Sequence, residues 1–398
     1  MEFLDLIESI SVTDASERRL YGGEGRRARG IRTAPNYSAR LTEALTLVQR
    51  VGEGSRHAAL AFEEAMSTSD FPLLFGDVID RAMVMAYREY PSAIEQVVRT
   101  TTVRDFRDVK RFALDGAEGE LEKVGQLEEY PAAALDEQRD TYSVAKFGRR
   151  IPLAWETLVN DDLDAFRDMP ARLGRAARRT EQRFISSLIW DANGPHASLY
   201  TSGHTNIINT TNGASDDNTP FSIAGLQDGL LVLASQTDTD GEPIYFETVY
   251  LVVPPALEIP ARNVLNGTEL RVTVAGGATG QEVQVANWMR NRVQLVVDPY
   301  APLIITTGTR GNTSWALFGA PGDGRPAIEF ARLRGHEEPE IWVKSPNAMR
   351  AGGGEVGPDQ GDFDNDGIQY RVRKVHGGAQ LNNTGGFRST VASNGTSN

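Results

Sequence analysis

The chain has 398 residues, 40% of them hydrophobic, with a formal net charge of −13 and no cysteine. That length and apolar content suffice for two or three buried cores. The absent cysteine excludes disulfides, thiolate metal sites and thiol catalysis, and the acidic balance excludes general nucleic-acid binding through the mean field.

No run approaches the roughly 18 apolar residues of a membrane span. Residues 1–10 lack the basic start and apolar core of a secretory leader, so a reducing cytoplasm, or something assembled there, is the expected compartment.

In chain order, residues 1–68 read as an N-terminal arm. Residues 2–10 have amphipathic helical period, and 11–40 are polar and carry Arg18, Arg19, Arg26, Arg27, Arg29, Arg32 and Arg40. Such a basic loop can bind phosphates, or it can serve as a mobile or partner-clasping arm. Ser69 or Asp70 can cap a helix over 74–90 that stops before Pro91.

Val-, Thr- and Phe-rich runs at 97–106 and 109–114 predict strands. The acidic, turn-rich stretch 116–130 follows, and a strand returns over 138–150 with alternating Tyr142, Val144 and Phe147. The whole of 100–150 reads as a two-stranded excursion with a charged tip. An isolated hairpin is marginal in water, so it needs a partner surface.

Apolar residues at Phe166, Met169, Leu173, Ala177, Phe184 and Leu188 recur at helical period. Pro170 interrupts the pattern, which puts the secure helix at 171–191, roughly 30 Å long. Arg172, Arg175, Arg179 and Arg183 lie three to four apart on it and share a face. That face either looks toward nucleic acid or acidic neighbours, or is a solvated face offset by Glu181.

Residues 193–220 are loop by composition. A helix is predicted over 223–235, a buried strand over 250–253 stopped by Pro254 and Pro255, and a helix over 256–265. Short strands follow at 293–297, 303–307, 315–318 and 327–333, then a linker at 351–361, a last strand at 368–375 and a Gly/Asn/Ser/Thr tail predicted to fray.

Motifs for chemistry fail on inspection. Asp362-Phe363-Asp364-Asn365-Asp366-Gly367 opens like a calcium loop, but its twelfth position is Arg373, a cation where an acid is required. Gly23-Glu24-Gly25-Arg26-Arg27-Ala28 has no strand before it. There is no phosphate-binding loop, no nucleophile elbow, and no metal-ligand spacing among His57, His196, His204, His336 and His376. No catalytic residue, metal or cofactor is assigned.

Four blocks carry a resemblance. They are Ser69-Asp70-Phe71-Pro72 with Val78-Ile79-Asp80 and Arg104-Asp105-Phe106; Phe147-Gly148, Ile151-Pro152, Glu156 and Leu158 to Asp162; Leu199, His204, Asn206, Gly241 and Val252-Val253-Pro254-Pro255; and Val293, Leu295, Pro302, Trp315, Leu317-Phe318, Leu333, Gly335, Pro339 and Tyr370 to Val372. In order and spacing the chain resembles the major capsid proteins of tailed phages, most of all the Mu-type major head subunit family, over residues 69–380.

The resemblance implies an α+β fold, the Hong Kong 97 phage capsid fold. Its parts would be an N-terminal arm (1–68), the start of a peripheral domain (69–99), an extended loop (100–150), a peripheral domain with a long spine helix (151–235), an axial domain (236–367), and a closing strand with the tail (368–398). It implies a structural protein that self-assembles into pentamers and hexamers, and then into an icosahedral head around double-stranded DNA. Assembly would occur in the host bacterial cytoplasm, with a portal, possible scaffold or decoration proteins, and no membrane.

Intersubunit contact in the extended loop would fall to Arg104, Asp105, Phe106, Arg107, Glu118, Glu120, Glu128 and Tyr142. His204 and Asn206 match family positions and are expected to fix a loop through hydrogen bonds. An encapsulin-like compartment of the same fold is the alternative, and a soluble hydrolase the third reading.

Overall fold

The computed structural model describes residues 83–90, 92–115, 124, 126, 136–154, 163–208, 219–237, 243–273, 282–322, 326–344, 347, 363–364, 367–381 and 389–395. The arm 1–68, most of the predicted calcium-like loop and the charged tip with Glu118, Glu120 and Glu128 lie outside them. The chain forms two compact units, one from the segments up to Tyr90, Lys146–Ala177 and Leu333–Val375, the other from Pro91–Ala145, Arg178–Arg332 and His376 onward.

The second unit is built on a four-stranded sheet of β7 (Val249–Val253), β10 (Val293–Val297), β11 (Trp315–Gly319) and β15 (Thr390–Ser393), in the order β10-β7-β11-β15. β10 and β7 run parallel, and the other pairs are antiparallel. Alternate residues enter two different cores, as the period of two requires. Val252, Val296, Ala316, Phe318 and Ala392 join Ile185 and Ile189 from the end of the long helix α1 (Leu163–Ile189) and Trp190 just after it. Leu251, Val253, Val293, Trp315, Leu317 and Val391 join Leu226, Leu230 and Leu233 of α2 (Ile223–Ala234), with Ala261 and Leu265 of α3 (Glu258–Asn266). With both faces covered, the strands read as continuous apolar runs rather than alternating ones.

Several predicted elements stand, among them β7, β10, β11 and α2, which Ser222 caps by accepting from Gly225 N at 3.0 Å. Three differ. Helix α1 runs through Pro170 for 27 residues instead of starting after it. The proline forgoes one backbone bond to the fourth preceding carbonyl, and the longer helix carries that loss. Residues 303–307 are not a strand, because a short helical turn occupies Ala301–Ile304 after Pro302 fixes its start. The tail does not fray throughout: β15 is buried along its whole length and pairs with β11.

The excursion is also shorter than 100–150. Only β2 (Val109–Asp115) and β3 (Asp136–Tyr142) pair with each other alone, in a seven-residue register from Val109 opposite Tyr142 to Asp115 opposite Asp136. β1 (Arg99–Val103) instead pairs β12 (Ile328–Leu333), and β4 (Val144–Ala154) pairs β14 (Gly367–Gln380). β14 serves both units in turn. Its residues 376–380 pair with β12, and its residues 370–373 pair with β13 (Glu340–Val343).

The first unit has a smaller core of Met83, Leu173 and Val372, with Ile151 and Ile341 against it. A Cβ at Gly174 would sit 2.3 Å from the carbonyl oxygen of Met83. Only glycine lets α1 approach the 83–89 helix this closely.

Candidate assembly surfaces

The residues at the foot of the hairpin follow from its two strands. Between β1 and β2 the chain makes an exposed bend, where Arg107 N donates to Asp105 Oδ1 at 3.2 Å and closes the turn. Arg104, Asp105, Phe106 and Arg107 are all exposed there. Tyr142 is not. It is 6% exposed, and its hydroxyl donates to Glu329 Oε1 of its own chain. The expectation that Tyr142 forms an intersubunit surface is corrected: an aromatic at the end of β3 faces β12, and its buried phenol needs an internal acceptor. Burial first, and then the adjacent Glu329 carboxylate, raise its pKa above the ordinary phenol value.

The arginine stripe divides by exposure. Arg172, Arg179 and Arg183 are exposed and Arg175 is half-buried. Glu181 does not offset them on a solvated face. It is fully buried and belongs to a ring of four charges on the other side of α1. Arg178 spans Glu95 with bonds of 2.5 and 3.0 Å and reaches Glu181 at 3.1 Å. Arg332 bonds Glu95 at 2.7 Å and Glu181 at 3.2 Å. Two acids and two bases sum to zero, which is how such charges tolerate burial.

A second buried carboxylate, Asp298, is held without a cation among its bonds. Ser186 Oγ and the Tyr300 N–H donate to Oδ1, and Trp190 Nε1 donates to Oδ2, each at 2.9 Å. Burial raises its pKa, opposed by these bonds. It ties the end of α1 to the turn after β10.

The expected role of His204 and Asn206 is seen in the geometry. Asn206 Oδ1 accepts from Thr201 N at 3.1 Å, and its Nδ2 donates to the Leu199 carbonyl at 2.7 Å. His204 Nδ1 lies 3.1 Å from that same carbonyl. Between them Thr205 adopts φ 51°, the one non-glycine positive φ among the described residues, and these bonds offset that strain.

Sequence reasoning missed Glu95, Arg178, Asp298, Glu329 and Arg332. The available signal was an acid or base inside an apolar run, such as Ile328-Glu329-Phe330. Large apolar side chains also remain at the surface, including Phe112 (60% exposed), Ile259 (71%) and Leu303 (63%). Among the described residues no cluster could hold a metal ion, and no helix is long and apolar enough to cross a membrane.

No curated protein sequence matches the chain. Solved structures with a similar trace include one of Mycobacterium phage Bobi, at 11% identity and TM-score 0.45, covering 76% of this chain and 90% of that one. Another is the capsid of Cyanophage P-SCSP1u, at 13% and 0.44, covering 76% and 87%. A third is the SrpI encapsulin of Synechococcus elongatus PCC 7942, at 12% and 0.43, covering 77% and 89%. The family model described as phage capsid protein matches residues 137–389. That span takes in β4, α1, α2, α3, β14 and three of the four strands of the sheet, β7, β10 and β11, so this chain of mixed helix and strand belongs to the phage capsid protein family.

Proposed function

We propose that this capsid protein has the Hong Kong 97 phage capsid fold, with the arm, spine-helix, peripheral and axial divisions that the resemblance implies and the extended loop confined to the 109–142 hairpin. On this reading it assembles as pentamers and hexamers into an icosahedral shell around double-stranded DNA in the host cytoplasm. A portal occupies one vertex, and scaffold or decoration proteins are further partners. The observation that carries the reading is the hairpin. Among the described residues it is two strands with no third strand beside it, and it bears Phe112 at 60% exposure. Such an element is marginal alone and gains its second layer from a neighbouring copy. Many modest interfaces repeated by symmetry close a shell.

In that assembly Arg104, Asp105, Phe106 and Arg107 meet a neighbour, and the acidic tip with Glu118, Glu120 and Glu128 extends the same contact. Arg172, Arg175, Arg179 and Arg183 face DNA or an acidic neighbour. Replacing Arg172, Arg175 and Arg179 together with Gln tests this: particle yield or DNA retention falls, and particles indistinguishable from the parent would contradict it. An encapsulin-like shell loaded with protein is separated by nuclease-protected DNA inside the particles, which only the phage reading predicts.

A further inference from the structure

Glu329 is fully buried in the middle of β12, with Ile328 and Phe330 turned to the core on the other face of the strand. All of its hydrogen bonds converge on one oxygen. Arg111 Nε and Nη2 both reach Oε1 at 2.7 Å. Thr101 Oγ1 donates to it at 3.0 Å, and so does the Tyr142 hydroxyl. The other oxygen, Oε2, is buried with no hydrogen-bond partner. Thr101 belongs to β1 of the sheet, while Arg111 and Tyr142 belong to the two strands of the hairpin. One carboxylate oxygen therefore gathers both strands at their root, and among the described residues its charge is paired from the hairpin, by Arg111.

The chain at the root is built to turn. On the side of β2 the connection is the exposed bend 104–108. On the side of β3 it is Ser143, whose carbonyl oxygen lies 2.4 Å from where a Cβ of Gly377 would be. Backbone passes over backbone there, with no side chain between them to lock the angle. Beyond the root, the seven-residue ladder of β2 and β3 is complete in itself.

We propose that Glu329 is a latch: its Oε1 fixes the angle at which the preformed hairpin leaves the sheet, and releasing it lets the hairpin pivot as a unit about 104–108 and Ser143. The claim concerns the single chain and holds whether or not shells form. Loss of a charge-assisted buried bond shifts a local opening equilibrium by roughly ten- to a hundredfold, enough to populate a second orientation.

The chain has no cysteine, so pairs of spin labels can be placed at will. One pair, at Leu231→Cys on α2 and Arg139→Cys on β3, reports the hairpin against the sheet. A second pair, at the register partners Phe112→Cys and Arg139→Cys, reports the hairpin's own ladder. The full chain is labelled and diluted with unlabelled chain, and distances are measured by pulsed electron resonance. In the Glu329→Gln and Arg111→Gln backgrounds, the first distance broadens or gains a second population while the second stays unchanged. Tyr142→Phe, which keeps the ion pair, gives a smaller broadening and serves if Glu329→Gln does not fold. Unchanged first distances in the Arg111→Gln and Tyr142→Phe backgrounds overturn the latch. Broadening of both pairs together overturns the pivot, because the hairpin would then be unfolding.

Discussion

Glu181→Gln is the sharpest probe of how the second unit is held together. It removes the carboxylate that Arg178 and Arg332 share in addition to Glu95, so the group Glu95–Arg178–Glu181–Arg332 goes from neutral to one net positive charge. Removing one partner of a buried pair costs about 3–5 kcal/mol. The remaining side chains are 13%, 17% and 21% exposed, so some water screens the excess charge, and the lower end, about 3 kcal/mol, applies. For a unit of this size that lowers the melting midpoint by roughly 6–12 °C.

Calorimetry on Glu181→Gln, Arg332→Gln and the double variant measures both the cost and its origin. The double variant restores neutrality, so it costs at least about 1 kcal/mol less than the sum of the singles. Glu258→Gln supplies the control. Its partner Arg262 lies one helical turn away on an exposed face, and such pairs are worth about 0.3–0.5 kcal/mol. Glu181→Gln melting with Glu258→Gln, or strictly additive singles, would refute a coupled buried network.

Two further changes follow from the same structure. Asp298 has a folded-state pKa above its ordinary value, so the native chain holds its proton more tightly than the unfolded one. Its stability contribution is therefore complete below the ordinary aspartate pKa of 3.8 and is lost as pH rises through the folded value. The urea midpoint of the parent should fall relative to Asp298→Asn across that rise, and a constant or widening advantage for the parent would contradict the sign. Ending the chain after Leu381 removes β15, bares the edge of β11 and takes Val391 and Ala392, at 0% and 1% exposure, out of both cores. Soluble yield should collapse, whereas an unchanged melting curve would mean the strand is dispensable.

What the sequence disclosed was local. The apolar runs at 250–253, 293–297 and 315–318 could be read as strands because both of their faces are buried. What it withheld was set by distant partners. Thr390-Val391-Ala392-Ser393 is short and polar enough to pass for a fraying tail, and becomes a strand only because β11 offers it an edge. Arg332 and Glu95 are 237 positions apart, and no local period links them. Pro170 looked like a break because propensity counts the lost bond and not the length of helix on either side of it. The hairpin was legible as an element but not in its extent, since β1 and β4 have ordinary strand sequences and differ from β2 and β3 only in which strands receive them. The loop fixed by His204 and Asn206 was anticipated through family resemblance rather than through any pattern in its composition.

The central claim is that this phage capsid protein builds a closed shell by itself repeating. Expressing the full chain and imaging the high-molecular-weight fraction by electron microscopy tests that directly. Closed particles with five-fold vertices, whose subunits each lay the 109–142 hairpin on a neighbour, are the predicted result. A chain that stays monomeric or dimeric at every concentration and in the presence of its co-expressed assembly partners would contradict it.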